Sequence, residues 1–125
     1  MNSFESPLDF CVEKKIGVYS ICFSDLFEIC QGGPVVGKLS INGASVQGYK
    51  FGGPYLVSMN FLYIPVLSRK FLGVGFQLGR IDLENIDLTL IGSNEPLIFL
   101  DRIEDEVIFY FGDFDKTIER KYVIS

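Results

Sequence analysis

The stretch "RKFLGVGFQLGR" (69–80) places glycine at 73, 75 and 79, close to the fingerprint that cradles a dinucleotide. That chemistry needs G-x-G-x-x-G between a strand and a helix, so that the helix N-terminus offers its amides to the pyrophosphate. Here the third glycine comes one residue late, and "RIDLENIDLTLIG" continues in strand-like alternation. No Gly-Lys-Ser/Thr phosphate loop is present. The glycines are therefore expected to bare one face of a strand for close approach by another backbone or a ring.

Other reactive residue types are as informative. The chain has no histidine, so Ser-His-Asp and Cys-His catalysis and imidazole metal sites are excluded in their usual form. Cys11, Cys22 and Cys30 lack the spacing of a zinc site, and an odd count closes no disulfide framework. All three are expected to be reduced, buried thiols. The carboxylates of "DRIEDE" (101–106) and "GDFD" (112–115) suit glycoside hydrolysis by type, but no Trp is available to stack a sugar. "DFDKTIE" alternates Asp113, Asp115, Thr117 and Glu119 without the glycine and distal glutamate of a calcium loop. No catalytic residue, metal ligand or cofactor is assigned, and the chain is not expected to be an enzyme.

These residues must sit on a scaffold of strands. The 125 residues are 48% hydrophobic and 22% charged, which fits one globular domain over 1–125. Apolar residues recur every second position in "VGFQLGRIDL", "IDLTL" and "DEVIFYF". Turn signals fall at 31–34, 42–43, 51–54, 84–85, 92–96 and 112–116, and the Asn42-Gly43 pair predicts a tight hairpin. The two GGP tripeptides are read as shared turn chemistry. One short helix is expected near 25–31, where Ser24 or Asp25 would cap it and Gly32 or Gly33 would end it. The predicted fold is all-β, an antiparallel sandwich or irregular barrel with at most that helix. Along "EDEVIFYF", the outward face is expected to carry Glu104, Glu106, Ile108 and Tyr110.

Charge supplies the one pointer to a partner. The net charge is −5, but residues 82–119 hold eleven carboxylates against Arg102 and Lys116. Such a field disfavours nucleic acid and steers a basic protein. Asp101, Glu104, Asp105, Glu106, Asp113 and Asp115 are the candidate contacts, with Tyr110 and Phe114 as apolar anchors. A small acidic chain without catalytic residues resembles, in composition, the immunity proteins that neutralise a cognate toxin, often a basic nuclease. That resemblance implies a cytoplasmic, bacterial inhibitor that works by occlusion. A ligand-binding β-barrel and a subunit of a larger assembly are the other readings. The longest apolar run, "FLYIPVL", is seven residues, short of the roughly 20 a spanning helix needs, and the start carries no signal-peptide pattern, so no membrane role is expected. Reduced thiols predict that the native mass equals the mass after reduction. A native mass lower by two hydrogens would overturn this expectation.

Overall fold

The computed structural model describes residues 5–70 and 73–124. These hold eleven strands and no helix, in three antiparallel sheets of which none closes into a barrel. The first sheet has the order β1 (Glu13–Ile16), β2 (Tyr19–Glu28), β3 (Val35–Ile41), β4 (Ala44–Ser45). The second runs β5 (Leu56–Ser58), β6 (Phe61–Lys70), β7 (Gly73–Asp82), β8 (Asp87–Glu95). The third is β11 (Glu119–Val123), β10 (Val107–Phe111), β9 (Phe99–Glu104).

The β6–β7 ribbon is the middle layer. Leu62, Ile64, Val66 and Ile81 pack against Ile21 and Leu39 of the first sheet. Tyr63, Leu67, Phe76 and Leu78 pack against Leu97–Leu100, Ile108 and Tyr110 of the third. A strand covered on both faces loses the polar half of its alternation, which is why "FLYIPVL" is apolar without interruption. Pro65 is tolerated within it because its carbonyl accepts from Gly52 at 2.9 Å. Its nitrogen points to that same side, away from β7, and no ladder bond is lost. Phe51 bridges the first two sheets, pairing with Gly37 on one side and Val66 on the other.

The Asn42-Gly43 hairpin forms as expected, with φ of 52° and 83°. The helix expected near 25–31 does not. Phe27 and Glu28 pair with Val36 and Val35, and a bulge at Ser24–Leu26, with Asp25 at φ 51°, absorbs the irregular pattern. Pairing with β3 satisfies the backbone there, whereas a one-turn helix would carry the cost of nucleation for few bonds. Residues 92–94, read as part of a turn, lie in β8: Phe76 pairs with Glu95 and Leu78 with Ile91. The extra residues bulge at Gly92 (φ 72°), held by the Gln77 side-chain amide donating to the Gly92 carbonyl at 3.1 Å. The thiols are all free, but Cys30 is exposed in the β2–β3 loop and Cys11 and Cys22 are half-buried, so they do not behave as core residues.

The glycines of β7 serve packing. A Cβ on Gly75 would lie 2.8 Å from the Glu95 carbonyl oxygen and 2.9 Å from Asn94 Nδ2, beneath the β8 bulge. One on Gly79 would lie 2.6 Å from Val66 Cγ2. At Gly52, the nearest atom would be 3.5 Å away, an ordinary contact. Gly75→Ala is expected to destabilise by about 1–3 kcal/mol through overpacking, and Gly52→Ala by less than about 1 kcal/mol. Urea unfolding followed by far-UV circular dichroism checks the difference. Equal effects would show that β8 yields freely to the added methyl.

Candidate functional site

The carboxylates singled out from the sequence do not form one patch. Asp101 and Glu104 flank Arg102, which reaches Asp101 at 2.7 Å and Glu104 at 3.2 Å and lies over the Phe109 ring at 4.2 Å. One of their two negative charges is thus offset within the sheet. Asp113 is committed to the β10–β11 turn, where its carboxylate accepts from the Thr117 hydroxyl and from the Thr117 and Ile118 amides. Those bonds, the Thr117 side chain first, hold the Asp113 carboxyl below the usual carboxylate range. Phe114 is 39% exposed at the tip of the same turn, with Asp115 beside it. That turn and the Asp105–Glu106 turn are at opposite ends of β10.

Tyr110 is not a surface anchor. It is 7% exposed, and with Ile108 it faces the middle sheet, while Val107 and Phe109 occupy the half-buried outer face and Phe111 packs at the edge of the core against Phe99. The outer and inner sets are the reverse of the expected ones. The run "VIFYF" is apolar at every position, so period two gives no sign of which set turns inward. Packing against Phe76 and Leu78 decides it. The Tyr110 hydroxyl donates to Glu95 at 3.2 Å, and Glu95 also faces Arg120 at 3.6 Å, which straps β8 to the third sheet.

Asp105 and Glu106 belong to a different assembly. They form the β9–β10 turn with φ of 51° and 63°, both in the left-handed region that side-chain-bearing residues rarely occupy. Facing them is the β5–β6 turn, where Met59 also sits at positive φ (58°) and is 92% exposed. Between the two turns the middle and third sheets splay apart into an open cleft of about 530 Å³. Phe61, Tyr63 and Ile103 line its walls, and Arg80 extends over the Phe61 ring at 5.1 Å. Tyr63 and Arg80 are direct cross-strand partners, so both project from the ribbon toward the third sheet. Burial raises the Tyr63 phenol above its ordinary value, and the neighbouring Arg80 charge opposes that rise.

The β7–β8 turn adds Asp82, Glu84 and Asp87 at the same end of the molecule. Asp82 pairs with Phe61 across the ribbon, and the Leu83 amide donates to the Asn60 carbonyl at 3.0 Å. Asp82 itself accepts from the Glu84 and Asn85 amides. The result is an acidic pole around Met59, with Glu84, Asp87, Asp105 and Glu106 exposed, Asp82 half-buried beneath its turn, and the Arg80 guanidinium set into the cleft. Met59, Phe61, Tyr63 and Arg80 were not singled out from the sequence. Arg80, a lone cation in the apolar run "FQLGRIDL", was the available signal. Among the described residues, no group of three metal-ligating side chains comes together.

The Tyr110 clasp sets a pH dependence. Burial, then the Glu95 charge and hydrogen bond, push the Tyr110 phenol up to about 12. The folded protein thus holds a proton that the unfolded chain releases near pH 10. This contribution is complete below pH 10 and is lost as pH rises toward 12. Unfolding midpoints measured by circular dichroism from pH 8 to 12 are expected to fall above pH 10, and less steeply in Tyr110→Phe. At pH 7, that variant loses about 0.5–1.5 kcal/mol for the missing bond. Identical alkaline slopes would assign the loss to other groups. No protein-family model matches this chain, and neither a curated protein nor a solved structure matches it.

Proposed function

We propose that the protein is a binding module that engages a basic protein partner through its acidic pole, and within that class an immunity-type inhibitor that neutralises a basic toxin by covering its working surface. The observation that carries this reading is the convergence of Asp82, Glu84, Asp87, Asp105 and Glu106 on the end of the molecule where Met59 is 92% exposed. Carboxylates separated in sequence reach one pole because two turns from different sheets meet there. Self-repulsion opposes that arrangement, and a partner rich in Lys and Arg relieves it. An exposed, flexible thioether supplies an adaptable apolar contact at the centre of the charge. The carboxylates would stand in for phosphates at a nuclease surface.

This reading moves the interface toward the Asp105–Glu106 turn. Arg102 offsets one of the two charges of Asp101 and Glu104, and the Asp113 carboxylate is occupied by donors of its own turn, so these groups are less free to meet a partner. Rim charges act chiefly on association rate and its salt dependence. The test is a rescue experiment in which the product of each flanking gene is expressed in a host cell with and without this chain. One product is expected to be lethal alone and harmless when this chain is present. The Asp105→Lys/Glu106→Lys double variant, still folded by circular dichroism, is expected to lose rescue, with association slowed at least about tenfold at low salt. Asp115→Lys is expected to retain rescue. Absence of any lethal product, or full rescue by the double variant, would remove the basis of the proposal.

A further inference from the structure

The cleft at the acidic pole holds opposite charges that do not meet. Among the described residues, Arg80 takes part in none of the ion pairs, although Asp105 and Glu106 line the same space. The guanidinium lies over the Phe61 ring at 5.1 Å, and Tyr63 is its direct cross-strand neighbour. The Tyr63 phenol carries an O–H proton to give. Among the described hydrogen bonds, that proton has no acceptor. Arg80 and Tyr63 together thus present an acid-binding fork at the foot of the cleft. Phe61, Ile103 and Ile124 supply apolar wall, and the carboxylates stand at the mouth.

A molecule that satisfies all three features has an anionic end, an apolar segment and a cation further out, in that order. We infer that the cleft receives the free C-terminus of a peptide chain, with its α-carboxylate on Arg80 and Tyr63, an apolar last side chain between Phe61 and Ile103, and a Lys or Arg one or two residues upstream against Asp105 and Glu106. Guanidinium binds carboxylate in two parallel hydrogen bonds, the geometry that a planar terminus offers. A cleft of about 530 Å³ has room for two or three residues. A lone α-amino acid carries its two charges on one carbon and leaves the apolar segment no place between them. Phosphate or sulfate would leave the apolar wall uncovered. The inference deepens the proposed function, resting on it only for the basic character of the partner, and its test needs no partner protein.

The probe is acetyl-Ala-Lys-Ala-Leu as the free acid, measured by isothermal titration calorimetry against the full chain at low salt. Saturable binding is expected, at least about tenfold weaker for the C-terminal amide and severalfold weaker when the peptide's Lys is replaced by Glu. Arg80→Gln is expected to abolish the preference for acid over amide, with the unfolding midpoint recorded beside it. Should Arg80→Gln fail to fold, Tyr63→Phe is read in its place and is expected to reduce the same preference. Equal binding of acid and amide, no saturable binding, or binding of free leucine as tight as the tetrapeptide would each overturn the assignment. If the tetrapeptide fails while rescue in cells succeeds, the acidic pole stands and only the cleft assignment falls.

Discussion

The structure depends on a ribbon of two ten-residue strands, β6 and β7, that is buried on both faces. Each buried aliphatic or aromatic side chain contributes roughly 1.5–3 kcal/mol, so a strand that packs on two sides anchors two cores at once. The requirement is severe. Along Phe61–Leu67 side chains must alternate between partners without a polar position, and the ladder on either side must close up. Gly75 and Gly79 meet that demand by letting β8 and the aliphatic groups of Val66 and Leu88 lie against the bare backbone. The glycine-rich stretch therefore belongs to the architecture, and phosphate binding is not needed to explain it.

The same ribbon places the functional candidate. Along its face toward the third sheet, Leu67, Phe76 and Leu78 fill the gap completely, and then the residues become Tyr63, Arg80 and Phe61 as the sheets diverge. The cleft is the unfilled end of an otherwise closed core. Its rims are the Met59 and Asp105–Glu106 turns, where residues other than glycine hold positive φ. Such positions cost of order 1 kcal/mol or more each and persist where the surrounding structure imposes them.

Charge in this protein is best understood after internal pairing. Arg102 meets Asp101 and Glu104, Arg120 meets Glu95, Lys38 meets Asp25, and Asp113 caps its own turn. Exposed ion pairs of this kind add little stability, typically below about 1 kcal/mol. Their larger effect is on the outward field, because they subtract carboxylates from it. Of what remains, Asp82, Glu84, Asp87, Asp105 and Glu106 lie at one pole.

Much of the fold was legible in the chain. Period-two alternation, β-branched and aromatic content and turn residues established an all-β protein, and Asn42-Gly43 marked its hairpin without ambiguity, because few other pairs accept positive φ twice. The excess of carboxylates over residues 82–119 was equally plain. These are local properties, set by the backbone preferences of neighbours and by counting. Which face of "VIFYF" turns inward, whether "SDLFEI" coils or pairs, and which carboxylates stay free were decided only by tertiary structure. Each depends on a partner outside the segment itself: Phe76 and Leu78 for Tyr110, Val36 on the next strand for Phe27, and Thr117 across a turn for Asp113. The meeting of Arg80 with Phe61, Tyr63 and the Asp105–Glu106 turn is of the same kind, since it requires the register of one sheet and the docking of another.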